Sequence, residues 1–159
     1  VEGVVIPVCS PEYLRSHGPI DGPNGLSGQV LANLSGNMRI PWSRFLATTE
    51  ADLMREATEL SFPDYALLIQ GAIKGQAVAL GWWHVVAGEI FPAGLVPAGH
   101  PFLRTGTLFQ LVARRSAAQR PAVQQVRQWL QAEFNALEAR RAELDLVAAG
   151  SAAADAVAG

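Results

Sequence analysis

The sequence predicts an α/β fold, a mostly parallel sheet flanked by helices, and three observations carry that prediction. Segments of strand length at residues 4–9, 58–62 and 76–80 alternate with stretches of helical character. Helix starts follow directly on two of these runs, at Ser10-Pro11 and at Phe62-Pro63-Asp64. Half of the 159 residues are apolar and only 16% are charged, so the chain can bury a core and is too apolar for wholesale disorder.

The first run, residues 4–9, is β-branched and apolar, which suits a buried strand, with Pro7 best placed near a strand end or an edge. Ser10 is then an N-cap and Pro11 the first residue of a short helix that runs to about His17 and stops at Gly18. Residues 18–41 are rich in glycine and proline and read as mostly loop, with one short helical or extended stretch at 26–34. A short element at 42–45 turns Trp42, Phe45 and Leu46 inward. After a strand at 58–62 comes the sharpest local signal: Ser61 as cap, Pro63 in the first turn and Asp64 three residues after the cap. The helix that follows, residues 65–74, is apolar almost all round, which predicts packing between other elements, and it ends at Gly75.

A strand at 76–80 turns through Gly81-Trp82 into a helix to about Ala87, and Trp83 is expected to point away from Trp82. Further strands are expected at 95–96 and 107–113. From Pro121 onward, Val123, Val126, Leu130, Phe134 and Leu137 recur at three and four residues, giving an amphipathic helix to about Leu146. The last thirteen residues hold seven alanines and no stripe, so a frayed tail is expected over 147–159.

Composition excludes several classes. A net charge of −2, with Lys74 the single lysine and the arginines scattered, is a poor match for a nucleic-acid surface. One cysteine rules out an internal disulfide framework and a multi-cysteine zinc site. No stretch reaches the roughly 20 uninterrupted apolar residues of a membrane span. The most apolar region, residues 65–86, is broken by Gln70, Gly71, Lys74, Gly75 and Gln76. The start, Val1-Glu2-Gly3, has no basic segment followed by an apolar one, and the chain begins without Met, so a piece of a longer protein is expected.

Catalytic chemistry is hard to assemble from these residues. His17, His84 and His100 lie far apart, and none stands at metal-ligand spacing with a carboxylate or with Cys9. Cys9 ends an apolar run and reads as a plain buried thiol. Gly71 to Gly75 lies within and at the end of a helix, where a phosphate loop would open one. No enzyme, metal or cofactor is predicted. Helix N-termini that follow strands gather at the carboxyl edge of an open α/β sheet, where small ligands bind. Their free N–H groups suit a carboxylate. Asp64 suits instead a small cationic or hydroxylated metabolite. Phe62, Tyr65 and Trp82 are candidates to line a pocket there. The plainer alternative is that Ser10 and Asp64 cap their own helices and the aromatic residues fill the core.

Taken in order, these segments resemble the effector-binding domain of LysR-type transcriptional regulators, in the branch like the glycine-cleavage activator. The similar stretches are Pro7-Val8-Cys9-Ser10-Pro11 with Tyr13-Leu14, then Trp42 with Phe45-Leu46, then Phe62 through Gly81, with Asp64 and Gly75-Gln76 among them. Glu89-Ile90 with Gly94-Leu95-Val96, the run from Leu108, and the helix from Val123 to Glu133 follow in the same order. The resemblance covers about Val4 to Glu133.

The resemblance implies a periplasmic-binding-protein-like (type 2) fold of two lobes with an effector in the cleft between them. On that reading residues 1–113 form the second lobe with its crossover strands. Residues 114–146 are the return segment and amphipathic helix of the first lobe, and 147–159 a flexible alanine-rich tail. The first lobe's remainder and the N-terminal DNA-binding module are missing from this chain, so DNA is a partner of the full-length protein only. The resemblance further implies a cytoplasmic homo-oligomer, joined through the effector domain, that binds a small-molecule effector and no membrane. The effector-facing positions it implies are Ser61, Phe62, Pro63, Asp64 and Tyr65, with Ser10 and Trp82 beside them. The rival expectations are a solute-binding protein fragment of the same fold and a stand-alone oligomerising interaction module.

Overall fold

The computed structural model describes residues 1–20, 25–36, 40–90, 94–99 and 102–158. Its elements run β1 (Glu2–Cys9), α1 (Pro11–His17), β2 (Val30–Leu34), α2 (Trp42–Phe45), α3 (Glu50–Glu56) and β3 (Thr58–Phe62). There follow α4 (Tyr65–Ile73), β4 (Ala79–Trp82), α5 (Trp83–Ile90), β5 (Val96–Pro97), β6 (Leu103–Leu108) and α6 (Pro121–Ala158). The chain divides into two compact units, Gly3–Gly106 and a second made of Val1–Glu2 with Thr107–Gly159.

In the larger unit the strands form a two-stranded sheet of β2 and β3 and a four-stranded sheet of β4, β1, β5 and β6, linked by a single bridge. β2 runs parallel to β3, from Val30 beside Thr58 to Leu34 beside Phe62. A parallel bridge joins Leu31 to Val78, just before β4. β4 then lies antiparallel to β1, with Val5 beside Trp82 and Val8 beside Ala79. β1 also pairs with β5 and β6. The parallel character expected holds for β2, β3 and the start of β4, whereas β1 runs against them. That reversal decides where the helix starts lie, because the carboxyl end of β1 meets the amino end of β4.

The sheet is covered on both faces. Val5 and Cys9 of β1, with Leu31, Val78 and Leu80, pack in one buried cluster with Tyr13 of α1, Trp42 of α2, Leu53 of α3, and Ile20, Leu26 and Ile40 from the loops. Val4, Ile6 and Val8 alternate with these along β1 and are as deeply buried. On their side lie α4 and α5: a Cβ on Gly81 would stand 2.7 Å from Val86 Cγ1 and 3.2 Å from Val8 Cγ2. Gly81→Ala is therefore expected to cost about 1–3 kcal/mol in a urea melt, because both neighbours are buried and stiff at χ1. Adding Val86→Ala should recover most of that loss, and a strictly additive pair would mean that this close approach does not set the helix position.

Several sequence expectations are corrected. The cap of α4 is Asp64, whose carboxylate accepts from Leu67 N at 2.8 Å, while Ser61 is a residue of β3 paired with Asn33. Pro63 thus precedes the cap, and the strand's pairing with β2 overrides the capping-box pattern. α4 is not packed on all sides: Leu68, Ile69 and Ala72 are buried, but Ala66, Leu67 and Gln70 are exposed, since the sheet takes only one flank. The extended stretch within 26–34 is β2, which pairs with β3 and is bridged to Val78 on its other side. α3 was not anticipated from its charged sequence; Thr49 caps it and Leu53 anchors it in the core. The last strand spans Leu103–Leu108 rather than 107–113, with no strand over 109–113.

In the second unit, Val1 and Phe109 exchange backbone hydrogen bonds at 3.0 and 2.8 Å. α6 runs unbroken to Ala158 instead of fraying at 147, which follows from alanine's high helix propensity. Along it Val123, Leu130, Phe134 and Leu137 are half-buried, whereas Val126 and Trp129 are more than half exposed at 53% and 59%.

Candidate functional site

Three strands of the larger unit, β2, β3 and β4, point their carboxyl ends to one edge of the sheet, at Leu34, Phe62 and Trp82. The chain leaves β2 toward α2 and α3 on one face, while it leaves β3 and β4 toward α4 and α5 on the other. Neighbouring strands whose connections depart to opposite faces leave a crevice beyond their ends, and such crevices are where open α/β sheets hold ligands.

The ladder itself parts there. Val78 N donates to Val30 O and Ala32 N to Val78 O, both at 2.8 Å, and among the described residues no backbone hydrogen bond joins β2 to β4 beyond them. Two aromatic side chains take over. Trp42 Nε1 donates to Ala32 O at 3.1 Å. The Tyr65 hydroxyl accepts from Trp82 N at 2.6 Å and donates to Leu80 O across a longer 3.4 Å. Burial pushes the Tyr65 hydroxyl up to about 12, against the opposing pull of the Trp82 N–H.

The predicted residues separate into two groups. Ser61, Phe62, Pro63, Asp64, Tyr65 and Trp82 share the carboxyl edge. Ser61, Pro63 and Asp64 are exposed there; Phe62, Tyr65 and Trp82 are half-buried. A Cβ on Gly71 would meet Phe62 Cζ at 2.4 Å, so the Phe62 ring rests on α4 and presents only part of its surface at the edge. Ser10 lies at the opposite edge. Its hydroxyl caps α1 by accepting from Tyr13 N at 3.1 Å, and a Cβ on Gly75, before β4, would stand 3.0 Å from it. The two helix starts therefore do not converge, and Ser10 and Asp64 each cap their own helix. Cys9, beside it, is fully buried, and desolvation pushes its thiol up to about 12.

Sequence reasoning missed three residues at this edge. Ser35 and Gly36 follow β2 and stand exposed at the carboxyl edge, with Ser35 N donating to Phe62 O at 2.8 Å. His84, the second residue of α5, lies beside Trp82, with ring centroids 6.1 Å apart. Strand–loop junctions carry such residues in any α/β chain, but only the order of the strands shows which junctions matter. Trp83 is buried and Trp82 half-buried, as the alternation predicts. Among the described residues no group of histidine, cysteine and carboxylate could hold a metal ion, and no helix is long and apolar enough to cross a membrane. His100 lies outside the described residues.

Burial holds His84 below the ordinary histidine value of 6.5. As pH falls through 6.5 the unfolded chain takes up a proton that the folded one resists, so stability is full above that value and lost below it. Thermal melts between pH 7.5 and 5 are expected to show a fall that is shallower in His84→Gln. Equal slopes would mean that His84 is as free to charge in the folded protein as in the unfolded one.

The fold is of the periplasmic-binding-protein-like kind. The chain belongs to the LysR substrate binding domain family, whose model matches residues 3–135. It is similar to the glycine cleavage system transcriptional activator of Escherichia coli K12, 29% identical over 129 residues, covering 81% of this chain and 42% of that protein. The chain thus spans less than half the length of the curated relatives it matches. Among solved structures it resembles the effector domain of the regulator AmpR of Pseudomonas aeruginosa, with a TM-score of 0.56 at 20% identity over 88% of this chain and 65% of that one. The AmpR effector-binding domain of Citrobacter freundii gives 0.55 at 16% identity, over 86% and 64%. At such identity these two likenesses speak for the fold.

Proposed function

We propose that this chain supplies a small-molecule-binding lobe to a bacterial LysR-type transcriptional regulator, and that the effector lies at the carboxyl edge of β2, β3 and β4. The observation that carries this reading is the parting of β2 from β4 between Asp64-Tyr65 and Trp82-His84, in a chain of that family. Ser61, Asp64 and Trp82 face the effector, joined by Ser35 and His84. Phe62, Pro63 and Tyr65 shape the wall. The Asp64 carboxylate spends one oxygen on its cap and keeps the other for a ligand, which favours a small cationic or hydroxylated metabolite over a carboxylate.

The lobe is regulatory and performs no reaction. Effector binding shifts the balance between open and closed arrangements of the whole effector domain. Oligomer contacts carry that shift to DNA-binding modules in the cytoplasm. Binding can change the output only by as much as its affinity differs between the two states.

The test is Asp64→Asn. Asparagine caps a helix about as well as aspartate, so folding is expected to stay within about 0.5 kcal/mol of wild type while the charge is gone. A thermal-shift panel of amino acids, quaternary ammonium compounds, polyols and dicarboxylates, run on the full-length regulator, is expected to yield a stabilising cationic or hydroxylated compound. That compound should lose about tenfold or more in affinity in Asp64→Asn, with operator binding unchanged. A hit whose affinity is untouched by the substitution would remove Asp64 from the site.

A further inference from the structure

We infer that Tyr65 is a positioning residue that ties the start of α4 to the end of β4, so that contact at Ser61 to Asp64 reaches Trp82 and His84. This rests on the effector site proposed above and gives Tyr65 a different task from touching the ligand. In an undisturbed parallel ladder, Leu80 O and Trp82 N would be met by the backbone of β2. Here, among the described residues, β2 and β4 bond only around Leu31 and Val78, and the Tyr65 hydroxyl stands in that place with both its donor and one acceptor position used. Tyr65 is also the first residue of α4, directly after the Asp64 cap, so its ring moves with that helix turn. The Tyr65 hydroxyl thus joins the two walls of the crevice, one from α4 and one from β4. A ligand that shifts the first turn of α4 must carry the Tyr65 hydroxyl with it or break the bond to Trp82 N.

Amide hydrogen exchange tests this without a ligand, in wild type, Tyr65→Phe, Asp64→Ala and the double variant, each first confirmed folded by circular dichroism. Tyr65→Phe is expected to speed exchange at Trp82 about tenfold, the size of one net hydrogen bond. Asp64→Ala, which frees the Leu67 amide, is expected to speed exchange at Leu67 and, through Tyr65, about threefold at Trp82. In the double variant Asp64→Ala should add nothing at Trp82. A tyrosine that merely fills space would lower protection broadly and leave the effects of the two substitutions independent. Unchanged protection at Trp82 in Tyr65→Phe overturns the inference, as does an equal effect of Asp64→Ala with and without the hydroxyl. Should Tyr65→Phe not fold, Asp64→Ala alone decides: no change at Trp82 overturns it. An unresponsive ligand panel would instead defeat the site proposed above and leave this result standing.

Discussion

Gly99→Ala is expected to leave little folded protein. A Cβ at that position would lie 2.2 Å from Ile20 O, 2.9 Å from Ile20 C and 3.2 Å from Ile20 N, all backbone atoms that cannot swing aside. Gly99 also holds a φ of +155°, which side-chain-bearing residues rarely adopt. The same backbone is held in place by Ile20 N donating to Ala98 O at 2.6 Å, and Ile20 and Ala98 are both buried. Clash and strain together should exceed about 3 kcal/mol, a large share of the 5–15 kcal/mol that keeps a typical domain folded. Gly18→Ala provides the comparison. Its φ is +75° but nothing lies within 4 Å of the added methyl, so only the backbone cost of about 1 kcal/mol remains. Denaturant midpoints of the two variants should differ clearly, and equal midpoints would show that the segment around Ala98 yields easily to Ile20.

Trp42→Ala should be the next most damaging change, at about 3–5 kcal/mol. The side chain is 2% exposed, sits edge-on to Phe45 at 5.9 Å, and holds Ala32 O where β2 leaves β4. Trp42→Phe separates the two contributions. It keeps most of the buried area and removes the donor, leaving a buried carbonyl unpaired at a cost of about 1–3 kcal/mol. If Trp42→Phe melts with the wild type, the indole N–H contributes no net stability and the residue acts through its bulk alone. Both variants also bear on the crevice, since Trp42 closes the β2 side of the opening that Tyr65 closes on the β4 side.

Local elements were legible in the sequence wherever the signal itself is local. Ser10-Pro11 and Gly18 bound α1 as expected, because a cap, a proline at the first position and a glycine of positive φ act within one turn. The strand at 58–62 and the glycine stop at Gly75 follow for the same reason. Where a neighbour decides, the sequence misled. Ser61 has the right chemistry for a cap, yet β2 claims its backbone and the role passes to Asp64. Residues 65–74 look apolar all round, yet nothing in a one-dimensional pattern says that only one flank meets the sheet.

The candidate site divides along the same line. Phe62, Asp64, Tyr65 and Trp82 were identified as types: an acid and aromatic rings at a strand–helix junction, in segments similar to LysR-type effector domains. Their association was not. Whether Ser10 joins them depends on the direction of β1, and direction within a sheet is a long-range property with no sequence period to report it. Ser35 and His84 became visible only once the order of β3, β2 and β4 brought their junctions to the same edge.

The sequence by itself determined the family, the alternation of strands and helices, and the caps and stops, since each rests on contacts within a few residues or on motif order. Only the tertiary structure decided that β1 runs against its neighbours, that Ser10 and Asp64 lie at opposite edges, and that the Tyr65 hydroxyl replaces a missing strand beside Leu80 and Trp82. Those features arise from pairing between residues far apart in the chain, where backbone groups left without a strand must be met by whichever side chain the packing delivers.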